Sequence, residues 1–144
     1  MRMPLYFESF GDRLANSMGG RSKVVFDVKE ENLPSANKIE AVHMYNMEGK
    51  ILGKITYEIL PDKKVEIQGF AIDDWSPKDR NGQRILRWFV GFMRKRGTNE
   101  IAGGIFSTDT RTSDKLDMFR AEGFSIKEVG SMAGHNEYHV ELLL

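Results

Sequence analysis

The spacing of hydrophobic residues along the chain changes several times, and each change marks an element. In "PLYFESFGDRLANSMGG" the residues Tyr6, Phe10, Leu14 and Met18 recur every four positions, as on one face of a helix, and Gly19-Gly20 supplies a stop, so an N-terminal amphipathic helix is expected. "KVVFDVK" (Lys23 to Lys29) is a short β-branched run that predicts a first strand, followed by the polar connection "EENLPSANK". Two alternating segments come next, "IEAVHMYN" and "KILGKITYEIL", separated by "MEGK"; a second turn, "PDKK" (Pro61 to Lys64), leads into "VEIQGFAIDD". Three consecutive antiparallel strands are the expected result.

From Arg84 the period becomes helical. Ile85, Leu86, Trp88, Phe89, Val90, Phe92 and Met93 cover a broad apolar face whose aromatic stripe belongs to the core, and "RKRG" ends the helix with cations and a glycine. "EIAGGIFS" (Glu100 to Ser107) then predicts a strand, "SDKLDMFRAEGF" a short helix ending at Gly123, and "SIKEVGSM" with "EYHVELLL" two closing strands. A strand-helix-strand unit around the long helix implies a parallel pair joined by a crossover. The expected fold class is α/β (α+β): a mixed, mostly antiparallel twisted sheet of six to seven strands with helices on both faces, forming one domain over residues 1–144.

Composition narrows the function. The 144 residues carry 21 basic and 21 acidic side chains, so net charge suggests no partner and gives no sign of a broad nucleic-acid surface, although Arg80, Arg84, Arg94, Lys95 and Arg96 leave a local basic patch open. With no cysteine, disulfides, thiolate catalysis and Cys-based zinc sites are excluded. His43, His135 and His139 are scattered without paired spacing, so no metal site is expected. No apolar run approaches the roughly 18 residues of a membrane span, and the N-terminus lacks the apolar centre of a signal peptide. No membrane partner and a cytoplasmic location are expected. Oligomeric state is not legible, a homodimer being compatible.

The candidate chemistry lies in "SPKDRNGQRIL" at the start of the long helix. Helix capping explains part of it: Ser76 as N-cap with Pro77 first in the helix and Asp79 as capping-box acid, or Asp79 or Asn81 capping a later start. An anion site explains the rest, because helix N-termini present unpaired N–H groups to an anion and Gly82 permits close approach, with Lys78, Arg80, Arg84 and Arg87 around the same turn. Gly69, inside a strand pattern, is a candidate bulge; Gly103 and Gly104 make room for a ligand or for packing.

The order "VEIQGFAIDD", "PKDRNGQRILRWFVGFMRKRG", "EIAGGIFS", "LDMFRAEGF" resembles the GCN5-related N-acetyltransferase (GNAT) superfamily over roughly Ile39 to the C-terminus. The resemblance implies acetyl-CoA as acetyl donor, with its diphosphate on Lys78, Asp79, Arg80, Asn81, Gly82, Gln83 and Arg84, and pantetheine contacts from the backbone of Ala71 and Ile72. It implies Glu66 as general base for an amine acceptor, small molecule or protein, that remains unidentified. Gly82 fits either glycine of the family's Arg/Gln-x-x-Gly-x-Gly/Ala loop. One placement puts Asp79 at the Arg/Gln position and Arg84 at the Gly/Ala position; the other puts Arg80 on the first glycine. Phe119 stands where the family commonly has a tyrosine. The alternative expectation is therefore a catalytically inactive GNAT-like protein that binds a protein or nucleic acid.

Overall fold

The computed structural model describes residues 2–7, 23–73, 80–106, 111–132 and 135–144. In chain order they form β1 (Arg2–Phe7), β2 (Val24–Glu31), β3 (Lys38–Asn46), β4 (Ile51–Leu60), β5 (Lys64–Ile72), α1 (Asn81–Lys95), β6 (Glu100–Phe106), α2 (Thr112–Ala121), β7 (Ser125–Met132) and β8 (His135–Leu143). The strands make one sheet in the order β1-β2-β3-β4-β5-β6-β8-β7, antiparallel throughout except for the parallel pair β5–β6. The predicted meander, long helix, crossover pair and closing hairpin are all present.

Two expectations are corrected. Arg2–Phe7 is a strand paired with β2, with Leu5 opposite Asp27 and Phe7 opposite Val25, where helix was expected. The ladder on β2 outweighs the four-residue spacing, and Pro4 is tolerated because β1 is an edge strand with an irregular register between Arg2 and Leu5. This strand brings the sheet to eight rather than six or seven. The remainder of the expected helix, residues 8–18, lies outside the described residues. The long helix begins at Asn81, and its N-cap is Arg80, which makes no side-chain capping bond. The expected caps Ser76 and Asp79 lie outside the described residues.

Both described helices cover one face of the sheet. Alternation aims Val24, Phe26 and Val28 of β2, Val42 and Met44 of β3, and Ile55 and Tyr57 of β4 at α1, and all are buried. From the helix, Ile85, Leu86, Trp88, Phe89, Val90 and Met93 meet them: Trp88 stacks on Phe26 at 4.7 Å between ring centroids, and Phe89 tilts against Tyr57 at 5.0 Å. On the opposite face His43 and Asp27 are buried as register partners, and burial, followed by the nearby Lys29 and Lys54, holds the His43 imidazole below its ordinary pKa.

The helix face of β5 contains a phase shift visible in "VEIQGFAI". Val65 and Ile67 point to the helices; the ladder with β4 then pairs Tyr57 with Ile67 but Thr56 with Gly69, leaving Gln68 as the extra residue of a bulge. The helix-facing set resumes as Phe70 and Ile72, and the candidate bulge at Gly69 is thereby located one residue earlier.

The C-terminal end of α1 is pinned by a buried polar cluster that the sequence did not advertise. Glu40 and Tyr57 are register partners on β3 and β4. The Tyr57 hydroxyl donates to Glu40 Oε1 at 2.8 Å, and Arg96 donates through Nη1 to the same oxygen at 2.6 Å and through Nη2 to Oε2 at 3.4 Å. Burial, reinforced by the Glu40 charge, raises the Tyr57 phenol well above its ordinary pKa, so it remains a donor. Removing the carboxylate strands the buried Tyr57 hydroxyl and deprives the partly exposed Arg96 of its partner. Glu40→Ala should therefore cost about 3 kcal/mol in urea unfolding, at the lower end of what breaking a buried pair costs because Arg96 is partly solvated; a loss below about 1 kcal/mol would show that the cluster contributes little.

Candidate functional site

The sheet splits at its centre. The β5–β6 ladder pairs Lys64 with Glu100, Val65 with Ile101, Glu66 with Ala102 and Ile67 with Gly103, and it ends there. Beyond this point β5 stays with β4 as far as Ile72 opposite Gly53, while β6 stays with β8 as far as Phe106 opposite Glu137. The backbone of Gln68–Ile72 therefore faces the split along one edge without a β6 ladder.

Between the diverging strands lies a cleft of about 200 Å³ lined by Ile67, Gln68, Gly69 and Phe70 of β5, Gly103, Gly104 and Ile105 of β6, Lys115 and Phe119 of α2, and Val140 of β8. The two β6 glycines do different things. A Cβ on Gly103 would meet Ile67 Cβ at 3.1 Å and Ile67 O at 3.4 Å, so this glycine serves the close approach of β5 and β6 where the ladder ends; a Cβ on Gly104 would meet, among the described residues, only Glu137 Oε1, at an ordinary 3.6 Å. Phe119 is fully buried, edge-on to Phe70 at 5.6 Å and to Phe124 at 4.9 Å, and forms an apolar wall without a hydroxyl.

The residues singled out from sequence fall into three groups. Glu66 is exposed, opposite Glu58 and Ala102 in register, one residue before the ladder ends, and alternation puts its carboxylate on the face away from the helices. Ala71 is exposed and Ile72 half-buried on the free stretch of β5, the Ile72 side chain packing near Gly53 and Gly82. Of the loop, Lys78 and Asp79 lie outside the described residues. Arg80 is exposed and holds φ 50°, ψ 47°, the left-handed region that favours glycine. Asn81 and Gly82 are buried in the first turn, and Arg84, at 1% exposure, is enclosed by the protein. Gln83 donates to the carboxylate of Glu122, the C-cap residue of α2, which also accepts from Arg87 at 3.2 Å.

The first turn of α1 thus lies against α2. The Met118 side chain sits where a Gly82 Cβ would be, its Sδ 2.6 Å from that position. Sequence reasoning missed Lys115 in the cleft wall; its spacing of four from Phe119 on a helix was the available signal.

By sequence the chain matches no protein-family model and no curated protein. By structure it is similar to a GNAT-family protein from Desulfovibrio desulfuricans, with a TM-score of 0.61 and 15% identity over 73% of this chain and 68% of that one. An acetyltransferase from Bacillus cereus superposes with a TM-score of 0.57 at 21% identity, covering 81% of this chain and 74% of that one. The aminoglycoside 6'-N-acetyltransferase of Enterococcus faecium does so with a TM-score of 0.56 at 16% identity, over 73% and 72%. The chain has the fold of the GNAT acetyltransferases, as the order of its motifs implied.

The glycine geometry makes a paired prediction. Gly103→Val should lower stability by about 2 kcal/mol in urea unfolding, because the added atoms must part β5 from β6, whereas Gly104→Ala should stay within about 0.5 kcal/mol of the parent. Equal effects at the two positions would contradict the assignment.

Proposed function

We propose that this protein is an acetyl-CoA-dependent N-acetyltransferase acting on an amine. One observation carries the reading: the parallel ladder ends beside a bulge, leaving the β5 backbone open to a cleft of the size of a small acyl group and its thioester. Such a cleft orients a thioester for attack, and an amine needs little beyond that orientation and a base for its proton. Glu66 is the proposed base. It stands at the point where the strands part, on the face of the sheet away from the helices. The amine would approach from that face, and the CoA arm would leave along Ala71 and Ile72, whose backbone groups are the proposed contacts for pantetheine.

The diphosphate is assigned to the turn from Lys78 to Arg84. The left-handed conformation of Arg80 supports the placement in which Arg80 occupies the first motif glycine and Gly82 the second. On that placement Arg80 supplies a cation at the helix N-terminus, Asn81, Gly82 and Gln83 supply backbone N–H groups, and Arg84 contributes from inside the protein. A cytoplasmic setting fits a CoA-dependent reaction.

A second reading is favoured by specific contacts. Met118 against Gly82, the Gln83 and Arg87 bonds to Glu122, and a phenylalanine in place of the family's tyrosine all suit a GNAT-fold protein that has lost catalysis and acts by binding. The Met118 contact is with the flexible end of its side chain, which is why the enzymatic reading is preferred.

Calorimetric titration separates the two. Acetyl-CoA and CoA should bind with micromolar affinity, and Gly82→Trp, by filling the turn, should weaken both at least about tenfold, roughly 1.4 kcal/mol; absence of binding to the parent protein would end the enzymatic reading. With an acceptor in hand, Glu66→Gln should lower the acetylation rate by about a hundredfold at unchanged acetyl-CoA affinity, and an unaltered rate would remove Glu66 from the mechanism.

A further inference from the structure

Among the described residues that line the cleft, Lys115 has the only ionisable side chain. The other cations of α2 and its N-cap are paired locally, Arg111 with Asp114 at 3.3 Å and Arg120 with Asp117 at 3.1 Å, and Arg87 of α1 reaches across to Glu122. Lys115 has no ion-pair or hydrogen-bond partner for its ammonium among the described residues, although it is half-buried beside Phe119 and the two β6 glycines. A half-buried lysine among lining residues that are otherwise uncharged, with Glu137 the acid beside Gly104, suits an anion supplied by the ligand, since a cation in a cleft gains most from an opposite charge in the same space.

We infer that Lys115 is the counter-ion of the thiolate released in the reaction. The inference rests on the acyl-transfer reading above. In that reaction the amine nitrogen attacks the thioester carbonyl, the C–N bond forms, the C–S bond breaks, and the bonding pair departs on sulfur. The proton lost by the amine goes to the base proposed at Glu66 and from there to water. Lys115 keeps its own proton. An alkyl ammonium is a weaker acid than an alkyl thiol by about two units in water, so the two groups remain an ion pair, and the negative charge that develops on sulfur is stabilised without proton transfer. The role is electrostatic, and an apolar wall at Phe119 strengthens it by keeping water away from the pair.

The test uses free CoA, whose thiolate has its own ultraviolet absorbance, titrated with base while bound to the parent protein, to Lys115→Met and to Lys115→Arg. Desulfo-CoA binding to each variant reports that the fold and the remainder of the site are intact. In the parent complex the thiol should titrate about one unit or more below that of free CoA. Lys115→Met should abolish the shift while binding desulfo-CoA as the parent does, and Lys115→Arg should retain most of it. A parent complex in which the thiol titrates as in free CoA, or a shift that survives in Lys115→Met, overturns the inference while leaving the acyl-transfer reading standing. Failure of the parent protein to bind CoA at all overturns both.

Discussion

The parallel ladder between β5 and β6 ends at Ile67 and Gly103, and the candidate site follows from that ending. Each strand keeps its antiparallel partner on the outer side, so the sheet behaves as two halves hinged on a short shared ladder. Gly103 makes the approach close enough for the last pair, and the extra residue at Gln68 changes the phase of β5 immediately afterwards. Backbone groups left along an opened edge are costly when buried without partners. A cleft holding an amide-rich, extended ligand answers that cost, as strand addition does when a peptide joins a free edge.

The long helix is held at both ends while its middle packs on the first half of the sheet. At its C-terminal end Arg96 reaches Glu40 and, through it, Tyr57; near its N-terminal end Gln83 and Arg87 reach Glu122 on the helix that covers the other half. The helix therefore ties the two halves together across the split that the ladder cannot span. Its first turn, carrying Arg80 in a left-handed conformation, is where that tie meets the cleft side of the molecule. Among the described residues the lining of the cleft is uncharged apart from Lys115, which suits the thioester chemistry proposed for it.

Much of this was readable in advance. Alternation gave the meander because one face of each strand is buried, and the switch to helical period after the loop gave the long helix because its apolar arc is broad and continuous. Gly69 inside "VEIQGFAI" marked the bulge to within one residue, and the family resemblance gave the fold. The N-terminal segment misled because its four-residue spacing says nothing of the free edge on β2 with which Leu5 and Phe7 pair. Capping patterns were a weaker guide: α1 starts at Asn81 with a left-handed Arg80 as its N-cap and no side-chain capping bond, which an arginine in the sequence does not signal. The buried Glu40–Tyr57–Arg96 cluster joins residues 17 and 56 positions apart, which no local pattern encodes. Lys115 was hidden because a lysine on a weakly amphipathic helix looks like any solvated cation until the cleft beside it is known.

The central claim is that the opened edge of β5 receives the CoA arm. Amide hydrogen exchange of Gln68–Ile72 with and without CoA addresses it directly, since a bound pantetheine would occupy the backbone groups that β6 leaves. Slower exchange confined to that stretch and to the first turn of α1 is the result predicted; exchange there that is unchanged under conditions where CoA binds would contradict the account.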